Sequence, residues 1–253
     1  MVATSAATRK TVGAALVGCA LLLTSVVAAG DAEDAGMASR LAELLRAGRS
    51  IVSNYQTLIN DPTIGDKKID STRFVDEAVI LYAQRVGQEP LSGDLTERDR
   101  RLLQAQLDAM REVLDEHQDD INRKGIGFKG FVPAIFARLI NEKFAAKVGE
   151  EARVRVTAPE QLVRNRKSLP DAWERMIIQD VFSDPKRPKG EAYMEVAEVD
   201  GRPAFRMLLP EYYTDSCLTC HGEPKGEIDV TGYPKEGGKT GDLGGAISIV
   251  LFK

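Results

Sequence analysis

The chain has 253 residues, 43% of them apolar and 28% charged, with a formal net charge of −4. That length holds one large domain or two small ones, and the composition is that of a globular protein, which excludes collagen-like, low-complexity and multi-span membrane classes. With no basic stripe and an acidic balance, the footprint of a nucleic-acid binder is missing, so the expected partners are proteins or small molecules.

Arg9 and Lys10 precede an apolar or small-residue run from Thr11 to Gly30, the layout of an export signal. Val27-Ala28-Ala29 puts small residues where a signal peptidase reads, so residues 1–29 are expected to be a signal peptide cleaved after Ala29. The run is also long enough to remain as an uncleaved anchor. Leu16-Val17-Gly18-Cys19 resembles a lipoprotein processing box, although the apolar run continues past Cys19. Each version places residues 30–253 in the periplasm or another extracytoplasmic compartment, on a membrane only if the segment is retained. Its loss removes two cations and no acid, taking the net charge from −4 to −6. Only Cys217 and Cys220 then remain, which rules out a multi-disulfide scaffold.

Met37, Leu41, Leu44, Leu45, Ile51, Val52, Tyr55, Leu58 and Ile59 recur at three- and four-residue steps and predict a long first helix that stops at Asn60-Asp61-Pro62. A second starts at the capping run Asp70-Ser71-Thr72 and ends before Gly87. Thr96, three residues before Asp99, opens a third, with Leu103, Leu107, Met110, Val113 or Leu114, His117 and Ile121 on one stripe and charges opposite. Phe128 to Val148, with Pro133 near its start, predicts a fourth. From Arg153 the period becomes two, a strand, and Pro170-Asp171-Ala172-Trp173 starts a short helix. Asp200-Gly201 predicts a hairpin with a type I′ turn, pairing Val199 with Arg202, Glu195 with Arg206, Val196 with Phe205 and Met194 with Met207. Ala246 to Phe252 is a last strand. Helices gathered early and hairpin strands late give an α+β class with an antiparallel sheet and a helix-rich N-terminal half, without internal repeat or second domain boundary.

Cys217-Leu218-Thr219-Cys220-His221 has the C-x-x-C-H spacing of covalent haem attachment. Two thiols three residues apart on one helical turn form thioethers to two vinyl groups, and the next residue offers an imidazole to the iron. Gly222 lets the backbone bend away. Three other uses weigh less. A zinc site needs four ligands, and the mature chain adds only the distant His117. A thioredoxin-like pair belongs at a helix start after a strand, for which Glu211-Tyr212-Tyr213 is a poor match. A structural disulfide leaves His221 unexplained. The expected cofactor is therefore one covalent haem c.

Phe128-Lys129-Gly130-Phe131-Val132-Pro133-Ala134-Ile135-Phe136-Ala137-Arg138, Arg164-Asn165 with Pro170-Asp171-Ala172-Trp173-Glu174, Cys217 to Pro224, and Gly241-Asp242-Leu243-Gly244-Gly245-Ala246-Ile247-Ser248-Ile249 occur in that order. With these motifs the chain, from about Ser39 to its end, resembles the PAS-like c-type haem domain family, found as stand-alone periplasmic or lumenal proteins and as extracytoplasmic sensor modules. The resemblance implies a PAS-like antiparallel sheet flanked by helices and one haem c, so that residues 30–253 form a single PAS-like haem c domain. Arg166 stands where the family commonly has proline, and Ser168 where asparagine is usual.

The sixth iron position is open or filled by another group, or it is taken by one of three candidates in this chain. Some relatives use a cysteine there, and once Cys19 leaves with the signal segment none is left over. His117 lies on an apolar helical face, where an imidazole is a ligand or, more commonly, a core residue bonded to a carbonyl. Met194 and Met207 share a hairpin face, where methionines mostly pack. Arg153, Arg155, Arg164, Arg166 and Arg206 are available for propionates, though most such arginines are solvated or pair with acids such as Glu195. The expected function is electron transfer or redox sensing without enzymatic activity, with a redox partner or signalling protein. The chain ends at Lys253 without a second span, coiled-coil relay or kinase domain, which argues against a complete transmembrane receptor. The alternatives are a haem-based gas sensor and a small haem enzyme such as a peroxidase or reductase, both needing an open sixth position, the enzyme also a distal acid–base group for which His117 is the only histidine.

Overall fold

Capping residues set the helix boundaries in a computed structural model that describes Met1 and residues 29–253; residues 2–28, with Cys19 and the body of the expected signal segment, lie outside it. Helix α1 runs Ala29–Ile59. Helix α2, Ser71–Val86, starts where the Asp70 carboxylate accepts from the Arg73 N–H at 2.8 Å, and it ends at Gly87, whose φ of 83° closes the last turn onto Ala83. Helix α3, Glu97–Glu116, is capped by Thr96. Helix α5, Pro133–Val148, carries its proline in the first turn.

The third apolar stripe does not stay on one helix to Ile121. At His117 the backbone leaves helical geometry, and Gln118–Ile121 forms a separate turn, α4. The cause is local. The His117 Nδ1 takes the Val113 carbonyl at 2.9 Å, the acceptor its own N–H would use in an α-helix, and that N–H goes to Leu114 instead.

Strands β1 (Ala152–Thr157), β2 (Tyr193–Val199), β3 (Arg202–Tyr212) and β4 (Leu243–Phe252) form an antiparallel sheet in the order β1-β4-β3-β2. The class is α+β, with the helices gathered in the N-terminal half. Val154, Phe205, Met207, Leu209, Ile247, Ile249 and Leu251 alternate onto one face and join α1, α2, α3 and α5 in one continuous core. On the other face, Leu208 and Ala246 meet Ile177, Ile178 and Phe182. Ile177 and Ile178 lie in the π-helical turn Ile177–Val181 and Phe182 closes it; the turn continues helix α6 (Ala172–Met176), whose Asp171–Glu174 capping box fixes its start.

The β2–β3 register agrees in all four expected pairs, and Asp200 and Gly201 both have positive φ, as the type I′ turn requires. The side chains on that hairpin use the register differently from a simple alternation of paired charges and buried apolar groups. Arg206 stands opposite Glu195, but its side chain reaches Asp171 at 2.6 Å and lies over the Trp173 ring, while the Trp173 N–H and the Tyr193 hydroxyl donate to Glu195. The apolar residues of β2 are not buried either. Met194 is 37% and Val196 47% exposed, because β2 is an edge strand beyond the helical layer.

Arg46 and Arg49 of α1 both bond the Glu211 carboxylate near the end of β3, and Arg46 also holds the Pro210 carbonyl at 2.9 Å. Burial alone raises the Glu211 carboxyl, but the two guanidinium groups outweigh it and hold the carboxyl below its usual range. Among the described residues no helix is long and apolar enough to cross a membrane. Because the folded-state value is depressed, the Glu211 contribution is fully present above the unfolded glutamate range and is lost as pH falls from there through the lower folded-state value. E211Q should cost about 1–3 kcal/mol near neutral pH in denaturant unfolding, with the gap to the parent closing below about pH 4; a gap independent of pH would contradict the ion triad.

Candidate functional site

The connection between β3 and β4, residues 213–242, is fastened at its base, where the Tyr213 N–H donates to Asp242 at 2.9 Å and the Gly241 N–H to Tyr213 at 2.8 Å. From this base rises helix α7, Asp215–His221. Asp215 lies in its first turn, where a carboxylate favours the positive end of the helix, and the Thr214 N–H donates to the Cys217 sulfur at 3.4 Å. The helix closes with the Gly222 N–H on Leu218 at 2.9 Å, and a Cβ at Gly222 would run into the Leu218 carbonyl. The expected bend therefore needs glycine. Cys217 and Cys220 stand one turn apart as free, half-buried thiols, with His221 next. Burial pushes the Cys220 thiol up, the reverse of the activation a redox thiol needs.

Beyond Gly222 the chain doubles back, with Ile228 bridged to Pro234. Between them the fully buried Asp229 side chain accepts from the Thr231 N–H at 2.7 Å, the Thr231 hydroxyl at 2.6 Å and the Tyr233 N–H at 3.2 Å. Its second oxygen takes Arg164 at 2.6 Å. Burial alone raises this carboxyl, but the donors from Thr231, Arg164 and Tyr233 hold it well below the carboxylate range. Arg164 continues to Glu236 through two bonds, Nε to Oε1 at 2.8 Å and Nη2 to Oε2 at 3.1 Å, and to the Cys220 carbonyl at 2.9 Å. Glu236 Oε2 in turn lies 2.8 Å from His221 Nδ1.

The imidazole is held from a second side by Tyr213, whose ring stacks on it with centroids 5.1 Å apart and planes at 17°. Burial pushes the Tyr213 phenol up to about 12. Gly238 donates to the His221 carbonyl at 2.8 Å, and a side chain at Gly238 or Gly244 would occupy the space of the Tyr213 ring. With Nδ1 engaged by a carboxylate, Nε2 is the ring nitrogen left to bind something else.

Cys217, Cys220 and His221 are thus brought together, and Arg164 alone of the five arginines reaches them. Arg153 pairs with Asp200, Arg155 bonds the Leu169 carbonyl, Arg206 takes Asp171, and Arg166 is exposed in the 3₁₀ turn Arg166–Ser168. Their acids are not Glu195. His117 packs on Phe131 with ring centroids 5.4 Å apart and bonds Val113, within the helical layer. Met207 is buried in the helix–sheet core with the Ser39 hydroxyl 3.9 Å from its sulfur, and Met194 is exposed beside it on β2. None of these three contacts α7 through the bonds described. Glu236, Asp229 and Tyr213 carry no signal that periodicity reveals; only Asp229-Val230-Thr231 has a recognisable turn pattern.

Among the described residues no three His, Cys, Asp or Glu side chains converge as ligands of a bare metal ion. The donor set instead offers one imidazole nitrogen and two thiols, which suits a group bringing its own equatorial ligands. D229A should destabilise the chain by about 2–4 kcal/mol, because it strips Arg164 of a buried partner. Denaturant unfolding reads this, and a loss below about 0.5 kcal/mol, the level of an ordinary surface substitution, would contradict the arrangement.

No curated protein and no solved structure matches the chain. The family model described as Tll0287-like matches residues 92–251, a span that runs from before α3 to the last but one residue of β4 and holds every residue of the cluster around His221. The match covers well over half of the sequence, and the chain belongs to the Tll0287-like family.

Proposed function

We propose that this protein is an exported single-haem c-type cytochrome-like protein of PAS-like architecture that exchanges or senses electrons. Residues 30–253 form the haem domain, and residues 1–29 direct export. Cys217 and Cys220 would hold the haem through thioethers, and His221 would offer Nε2 to its iron. The bound haem would supply a one-electron couple at its iron. The carrying observation is the 2.8 Å contact between His221 Nδ1 and Glu236, which leaves the opposite nitrogen available beside two free thiols.

The chain's own residues account for the rest. Arg164 holds Glu236 in place and ties the Cys220 carbonyl to the same guanidinium, so helix α7 and the carboxylate are fastened to one group. Tyr213 limits rotation of the imidazole. The elevated Cys220 thiol weighs against a dithiol redox pair. The bond from His117 to Val113, with its packing on Phe131, weighs against a distal acid–base role and so against an enzyme.

The test is absorption spectroscopy of the exported chain. Its pyridine haemochrome should match a haem with two thioethers, and C217A or C220A should move the band to that of a haem with one. A reduced spectrum indifferent to carbon monoxide supports electron transfer, and one that responds supports gas sensing or catalysis. An unchanged haemochrome in both cysteine variants would refute the attachment.

A further inference from the structure

Resting on the haem reading above, we propose that Glu236 sets the electron density of the axial histidine and thereby holds the bound iron at a lower reduction potential than a neutral acceptor at Nδ1 would give. The partner of His221 Nδ1 is a carboxylate oxygen at 2.8 Å, not a backbone carbonyl. A charged acceptor forms a bond roughly twice as strong as a neutral one. It draws the Nδ1 proton toward itself and makes Nε2 the more basic donor. An electron-rich imidazole stabilises ferric iron more than ferrous iron, which lowers the potential.

Arg164 works against this effect. Its Nη2 shares Oε2 with the imidazole, at 3.1 Å, while its Nε takes Oε1 at 2.8 Å. Asp229, held at 2.6 Å, fixes that guanidinium from the other side. The carboxylate is therefore divided between a guanidinium and an imidazole, and the strength of the Glu236–His221 bond depends on how firmly Arg164 holds its end. In this scheme Glu236 is a positioning and tuning residue, and Arg164 its counterweight.

Two conservative substitutions in the full-length, exported holoprotein separate this from a merely structural role. E236Q keeps an acceptor oxygen in the same place and removes its charge. It should raise the reduction potential. R164K keeps the positive charge but cannot make the two-bond fork, so it leaves Glu236 freer to accept from His221. It should move the potential the other way. Loss of a structural support alone would loosen the site in both variants and shift them in the same direction.

The haem content of every sample is read first, by pyridine haemochrome. A wild-type chain without covalent haem would overturn the haem reading and this proposal with it. Full haem in wild type and E236Q, with the potential unchanged, would overturn the proposal alone. The comparison of E236Q with wild type decides between these outcomes even if R164K does not fold.

Discussion

The guanidinium of Arg164 is the point on which the site depends. It comes from the segment after β1, yet it bonds Asp229, Glu236 and the Cys220 carbonyl, all in the connection between β3 and β4. Burying two carboxylates beside one another is unfavourable unless a cation and fixed donors compensate. Here the cation is shared, and Asp229 is further satisfied by Thr231 and Tyr233. Arginine suits the place because its planar fork makes several directed bonds at once, which an ammonium cannot.

This clamp makes a mostly irregular connection into a frame for one imidazole. The loop has little regular structure of its own beyond α7, a seven-residue helix too short to persist unaided. Its base is tied into the sheet through Tyr213 and Asp242, and β3 is in turn tied to α1 through Glu211 and two arginines. The helical layer buries one face of the sheet, and β3 and β4 are its two central strands, so the connection grows from the middle of the sheet and not from an edge. The rings of Tyr213 and His221 stack closely only because Gly238 and Gly244 leave room beside the tyrosine.

Much of the fold was legible because its signals are local. Asp70, Thr96 and Pro133 mark helix starts through bonds or dihedrals of the residues beside them, and Asp200-Gly201 sets the hairpin register through one turn. Periodicity identifies which residues share a face, not what covers that face, so the exposure of Met194 and Val196 required knowing that β2 is an edge strand. The break at His117 escaped for a similar reason, since a side chain replacing a backbone donor leaves the apolar period intact. In the site, Cys217, Cys220 and His221 stood out by spacing. Glu236 lies in an irregular stretch, and its bond to His221 comes from the return path of the chain; Arg164 was one of five equivalent-looking arginines until Asp229 and Glu236 were placed around it.

The most direct measurement is the intact mass of the exported protein, taken together with a count of thiols open to alkylation under denaturing conditions. The account predicts a mass greater than that of the processed polypeptide by one haem, with the peptide spanning Cys217 to His221 carrying the addition and both its sulfurs closed to the reagent. A mass equal to the bare polypeptide, with both sulfurs alkylated, would contradict it.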